Sequence, residues 1–364
     1  MNTVTRKTRQ ETFSYTSSIA LDTWKPKTDH KAFEWWYFDA LSEDGRDGVV
    51  IIFLDNFIFS PRYNAPQRKN KDKNYSGEKF PAVAFTYYRD GKPVYRAINE
   101  FTEKDFSADG NNPSCQIGNN SFTFKSAPYG SGYFVSINMP LAKKRKLEAH
   151  FEWLSIETDF FPDKPVETSG AHLWNMVVSR SDVTGRITIS GENEKPLDVI
   201  AFRGTGYHDH NSDNRWLPDT VCDWQWGRAH FADSTAVFYR FKELGSQNPF
   251  NGLFTIREGK MNAHETSYEE LNFKRDKFGI KYPTRQSFLT SDNIRLRVKN
   301  HQVIESSFFY LRFLSEMTLT LRDGKPRKTL GFTEYLAPKT LKYGWLDWLV
   351  GMRIGREGKG AFLT

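Results

Sequence analysis

Short segments that alternate apolar and polar residues recur along almost the whole chain, separated by turn-forming dipeptides. Trp35–Leu41 and Gly48–Asp55 flank Glu43-Asp44-Gly45-Arg46-Asp47, and Ala82–Arg89 and Pro93–Phe101 flank the tight hairpin signal Asp90-Gly91-Lys92. Ser121–Ser126, Tyr133–Leu141 and Lys146–Ile156 follow; Leu173–Ser179 and Arg186–Gly191 read as a pair joined by a turn near Asp182–Gly185. The second half continues with Leu197–Gly206, Asp223–Phe231, Thr235–Lys242, Leu253–Arg257, Ile294–Val298, Ser307–Phe313, Met317–Arg322 and Thr329–Leu336, the last two joined by Asp323-Gly324-Lys325. So many short strands with few helical windows predict an all-β protein, and the count is too large for one small barrel. Two stacked β units are expected, with a junction near residues 210–222, where Asn211-Ser212-Asp213-Asn214 and Pro218-Asp219 interrupt the strand pattern.

Two segments depart from this period. Ser60–Phe80 is polar and basic and reads as a long loop or lid. Gly344–Arg356 places Trp345, Trp348, Leu349 and Met352 at helical spacing, which predicts a short C-terminal helix. That helix either docks on the protein body or lies at a membrane interface with its basic flanks, Arg353, Arg356 and Lys359.

The 364 residues include 30 Phe, 16 Tyr and 10 Trp, an aromatic share that suits strands and an apolar interior able to take a ligand. The net charge of +7 is gathered in Arg62–Lys79, Lys143-Lys144-Arg145-Lys146 and the tail; with no nucleic-acid motif, these read as solvated loops and no nucleic-acid partner is expected. Cys115 and Cys222 stand far apart, as in a reducing compartment. Residues 1–18 have no apolar leader and no apolar run reaches spanning length, so a cytoplasmic protein with peripheral membrane contact through its tail is expected.

Between Gly204 and Arg228 the chain reads GTGYHDHNSDNRWLPDTVCDWQWGR, its densest collection of chemically capable side chains. Strand alternation puts Tyr207, Asp209 and Asn211 on one face and His208 and His210 on the other. It likewise opposes Trp224, Trp226 and Arg228 to Asp223, Gln225 and Gly227, and Trp35, Tyr37 and Asp39 to Glu34, Trp36 and Phe38. A carboxyl group in a dry aromatic setting disfavours its charged form and can remain a proton donor near neutral pH. Asp223 is the first choice for such an acid and Asp209 the second, with His208 or His210 orienting it or accepting a proton. Trp36, Trp224 or Trp226 would face a developing cation. His208 and His210 could also hold zinc with His172 or His230, but no second ligand pair follows at a standard spacing. A hydrogen-bonded acid–imidazole network, or acids and histidines that merely cap a turn, accounts for them without a metal. With no dinucleotide fingerprint, P-loop or nucleophile elbow, a reaction without cofactor is expected.

EWWYFDA at 34–40, LWNMVVSRSDVTGRITISG at 173–191, GTGYHDHN at 204–211, DWQWGRAHFADSTAVFYRF at 223–241 and GFTEYL at 331–336 resemble, in order, the carotenoid 1,2-hydratase and AttH-like family. Fungal decalin-forming Diels–Alderases are more distantly similar. The resemblance covers about residues 30–340. It implies two lipocalin-like β-barrel domains, 30–215 and 216–343, after an N-terminal extension (1–29) and before a helical tail (344–364). It also implies an apolar substrate such as a carotenoid, terpenoid or other polyene, held in or between the barrels by Trp35, Trp36, Tyr37, Asp39, Trp174, Tyr207, Asn211, Trp224, Trp226, Arg228, Tyr239 and Glu334. The chain departs from the hydratase pattern at Ser212, where an aromatic is usual, and at Tyr239-Arg240-Phe241, which offers no acid. The expected activity is acid-assisted or template-driven hydration, cyclisation or cycloaddition; the alternative is a lipid or pigment carrier without chemistry.

Overall fold

A computed structural model describes residues 13–69, 77–127, 130–160, 172–322 and 324–363. Residues 1–12 of the N-terminal stretch, residues 70–76 of the Ser60–Phe80 segment and Asp323 of the last hairpin turn therefore lie outside the described residues. Two curled sheets dominate the structure, antiparallel apart from the parallel pairing of Phe13–Thr16 with His172–Ser190, in keeping with a double lipocalin-like, all-β fold with a short C-terminal helix. Among the described residues, twelve strands between Phe13 and Asp213 form the first sheet and nine between Val221 and Leu336 form the second.

The strands that matter for function lie mid-sheet. Phe33–Leu41 is flanked by Asp47–Leu54 and Pro196–Asp213; Val221–His230 is flanked by Thr235–Glu243 and Pro326–Leu336. Every residue of Phe33–Leu41 is buried, because both faces of the strand are covered. One face, with Trp36 and Phe38, joins Phe53, Phe122, Tyr133 and Trp153 to fill the interior of the first sheet. The other, with Trp35 and Tyr37, packs against the second sheet, where Trp224, Trp226 and Tyr239 await it. Aromatic contacts cross this seam: Trp35 and Trp224 centroids are 5.6 Å apart, Tyr37 and Trp226 5.2 Å, Trp174 and Tyr239 4.8 Å. A third cluster, around Phe238, Phe288 and Leu319, fills the second sheet.

The structure corrects several boundaries. His172–Ser190 is one strand of 19 residues, not a hairpin with a turn at Asp182–Gly185. Those residues pair on both sides, Val183 with Trp153 and Gly204, and Gly185 with Phe151 and Phe202. Gly185 is there because the Phe151 ring occupies the space of a Cβ. Asn211-Ser212-Asp213 does not break the sheet either: it remains paired with Phe33–Trp35, and Asp213 accepts from Arg215 Nη2 at 2.8 Å. Pro61–Lys69 is helical where a loop was expected; Pro61 opens it and Asn64 Nδ2 donates to the Ile58 and Ser60 carbonyls. Tyr310–Thr320 is one strand rather than two. Lys260–Glu265, Ser267–Arg275 and Lys281–Leu289 were not foreseen, since the first two of these are largely solvated and carry little alternation. No described helix is long and apolar enough to cross a membrane.

Candidate active site between the two sheets

The register of four strands builds the site. Asp209 sits opposite Tyr37, and Asn211 opposite both Trp35 and Trp174. On the facing sheet Trp226 is opposite Tyr239 and Glu334, and Glu334 is opposite Arg312. Period-two alternation aims all of these into the seam. Trp35, Tyr37, Asp209, Asn211, Trp224, Trp226, Tyr239 and Glu334 together line a small, narrow neck. It adjoins a larger apolar chamber that shares Trp35, Tyr37, Trp224 and Glu334 and is walled by Val50, Ile52, Ala84, Phe57, Phe59 and Phe309. Its lining suits an apolar ligand.

Asp209 is one of two carboxyl groups that line the neck. Trp174 Nε1 and Tyr207 Oη donate to Oδ2 at 3.0 and 2.9 Å, and Asn211 Nδ2 donates to Oδ1 at 2.9 Å. Burial nonetheless dominates and pushes its pKa up to about 8, against the donors from Trp174 and Tyr207 and with help from the charges of Glu334 and Asp39. A carboxylic acid is thus present at neutral pH, with three donors placed to receive the carboxylate it becomes.

Glu334 faces it from the other sheet. Arg312 Nε donates to Glu334 at 2.9 Å, and Arg312 Nη1 to Glu305 at 2.9 Å; Arg96 holds Glu305 at 2.6 Å. Burial raises the Glu334 pKa more than Arg312 lowers it. Burial would raise Glu305 too, but Arg96 and Arg312 together bring it below its ordinary value. The Tyr37 hydroxyl is buried in the seam beside the Asp39 carboxyl group.

The remaining predicted residues are placed elsewhere. Asp223 shares its face with Gln225, turned away from Trp224 and into the second sheet, where it is ion-paired with Arg240. It is therefore not positioned as the acid of this chamber. His208 and His210 point into the first sheet, opposite Asp209. His208 Nε2 meets Asp22 Oδ2 at 3.0 Å, and His210 meets Glu34 Oε2 at 3.0 Å and Asp22 Oδ1 at 3.3 Å. Trp36 stacks on His210 there, 4.7 Å between centroids. Burial alone would lower the His210 pKa; Asp22 and Glu34 carry it up to about 9 instead. The three form a buried ionic network outside the chamber. Asp39 accepts from Arg228 Nε at 2.8 Å in the seam, a pair that ties the sheets without lining the neck. Trp174 and Tyr207 hold Asp209 and do not touch the cavity. His172 donates or accepts at Tyr239 Oη and Asn211, while His230 meets the Ser179 carbonyl, so neither joins His208 and His210. Sequence reasoning missed Asp22, Arg96, Glu305 and Arg312. Arg312, lodged between Leu311 and Phe313 in a strand pattern, was the available signal of a buried charge.

The family model "Carotenoid hydratase CrtC" matches residues 157–362, more than half of the chain. The chain belongs to the carotenoid hydratase family. Its similarity to Hydroxyneurosporene dehydrogenase of Chlorobaculum tepidum is 24% identity over 340 residues, 90% of this chain and 88% of that protein. Acyclic carotenoid 1,2-hydratase of Thiocapsa roseopersicina is 28% identical over 213 residues, 56% of this chain and 46% of that one; the match spans about half of the hydratase's length. Among solved structures, a CghA complex with Sch210972 superposes with a TM-score of 0.55 at 14% identity, covering 85% of this chain and 89% of CghA. An AttH protein from Nitrosomonas europaea gives 0.54 at 14%, over 84% and 92%. At such identity these two share the family fold with this chain. Membership in the family also makes the chain an enzyme of hydratase type acting on carotenoid-related or other polyene molecules.

Proposed function

We propose that this carotenoid hydratase family member adds water across a terminal double bond of an acyclic isoprenoid polyene held between the sheets, without a cofactor. The observation that carries this reading is a pair of carboxyl groups, Asp209 and Glu334, facing one aromatic neck from opposite sheets. Asp209 gives its proton to the less substituted carbon, and the electron pair of the double bond forms the new C–H bond. The tertiary cation left behind lies among the rings of Trp35, Trp224 and Trp226, each worth about 0.5–2 kcal/mol to a desolvated cation. Water attacks it, and Glu334, held by Arg312, takes the surplus proton. Trp174, Tyr207 and Asn211 stabilise the Asp209 carboxylate until solvent exchange restores both groups. The acid lacking at Tyr239-Arg240-Phe241 is then supplied from the facing sheet.

The test is turnover of a detergent-dispersed acyclic carotenoid in ¹⁸O-labelled water, followed by mass spectrometry. The wild type should yield an alcohol carrying the label. Asp209→Asn should lose about 100-fold or more of that rate, the usual contribution of a positioned acid. Asp223→Asn should retain it. A folded Asp209→Asn with undiminished rate sinks the assignment.

A further inference from the structure

The chain from Tyr343 to Leu363 combines two features that its role as a wall does not explain. Leu349, Val350 and Ile354 line the chamber, so the short helix Asp347–Gly351 separates chamber from surface by one turn. Its other side is bare. Trp345 is 71% exposed, Trp348 61% and Phe362 80%, with Leu363 beside them. Leu363 N donates to the Met352 carbonyl at 2.9 Å, which brings the Phe362-Leu363 end onto the helix that carries Trp348. Single exposed apolar side chains are ordinary, but two tryptophans and a phenylalanine in one patch are not.

Charge narrows the partner. Lys339, Lys342, Arg353, Arg356 and Lys359 flank the patch in sequence, against Asp347 and Glu357; Lys342 is paired with Asp219 and Arg356 with Glu100, Arg353 lines the chamber, and Lys339 and Lys359 are exposed, so the segment keeps a net positive charge. Asp347 is already paired with Arg68 of the adjoining helix Pro61–Lys69. Tryptophan at the surface with net positive flanks fits the headgroup layer of an anionic bilayer, where the indole sits between water and acyl chain and each nearby cation adds about 1 kcal/mol. The other candidate occupant, a second copy of this basic chain, would bring like charges together.

We propose that this segment docks the protein on an anionic membrane surface, with the chamber wall against the bilayer so that a lipophilic molecule passes between them without crossing water. The docking stands on the exposed patch and its charge; the loading step rests on the reading of the chamber as a polyene site. Two arms keep these apart. In the first, flotation of the full chain with vesicles of phosphatidylcholine and phosphatidylglycerol, without polyene, should show binding that weakens with salt and falls when phosphatidylglycerol is omitted. Trp345→Ser with Trp348→Ser, both at exposed positions, should weaken it about tenfold or more. In the second, the same double variant should match wild type on detergent-dispersed carotenoid but fall behind on carotenoid supplied in those vesicles. Wild type that does not float, a double variant that floats equally well, or a wild-type dimer that the double variant converts to monomer would each overturn the docking. Equal rates from vesicles would overturn the loading step alone.

Discussion

Asp209, its pKa pushed up to about 8 by burial, changes charge close to neutral pH, and this has consequences for both rate and stability. Its folded pKa of about 8 lies above the ordinary carboxylate value of 3.8, so the native state binds the extra proton between those limits. Activity that needs the protonated acid should therefore hold on the acid side and decline as pH rises through about 8. Stability should likewise fall as pH rises from about 4 to 8, because the unfolded chain ionises freely while the folded one must bury a charge. Asp209→Asn keeps the shape and removes the titration. Relative to wild type, the variant should gain stability with rising pH, on the order of several kcal/mol in all, and the gain should level off above about pH 8. Denaturant midpoints across that range measure it; a constant difference would contradict the raised pKa. His210 runs the same way over a higher range. Its folded pKa of about 9 exceeds the ordinary 6.5, so its contribution is complete below 6.5 and is lost as pH rises through 9. His210→Gln takes the imidazolium from between Asp22 and Glu34, leaving Glu34 to Lys27 and Asp22 to His208 and Tyr133, and should cost about 1.5–3 kcal/mol near neutral pH, read from the same midpoints.

At the level of strands, the division of each segment into two faces was legible, because side chains on a strand alternate whatever the neighbours are. Asp209 with Tyr207 and Asn211, against His208 with His210, is the arrangement the structure holds. Which face looks into a cavity was not legible: Phe33–Leu41 is buried on both sides, so its aromatics carry no inside–outside signal. That is why Asp223, beside Trp224 in sequence, appeared well placed and is not. Polar and glycine residues inside long strands also read as breaks, as at Asp182–Gly185, where local turn chemistry is overridden by pairing on both sides. The same double burial makes the Asp39–Arg228 pair a strand-level bolt between sheets. Arg228→Met should strand the Asp39 carboxylate in the seam and cost about 3–5 kcal/mol, while Asp39→Asn combined with Arg228→Met should recover much of that loss. A double variant no more stable than Arg228→Met would show that packing, not charge, joins the sheets there.

For the molecule as a whole, nothing in either half of the sequence specifies the chamber, because it exists only where two sheets meet. The interior of the first sheet is filled by Trp36, Phe38, Phe53, Phe122 and Trp153, so an aromatic-rich barrel here is core rather than container. The aromatics left over on the outer faces become the container, and charges remote in sequence, Arg96, Glu305 and Arg312, arrive with them. It follows that chamber and acid are separable. Ala84 lines the chamber without lining the neck, and its side chain is only partly buried. Ala84→Phe should fill guest space while leaving the hydrogen bonds of Asp209 intact. Polyene turnover should fall by about tenfold or more, the cost of excluding a few methylene-sized contacts at about 0.8 kcal/mol each. The pH at which the residual rate declines should stay near 8, since the surroundings of Asp209 are unchanged. A smaller polyene that reaches the neck without occupying the chamber should lose less. If Ala84→Phe moved the pH profile instead of the size preference, the two compartments would be one site, and the guest would have to lie against Asp209 along its whole length.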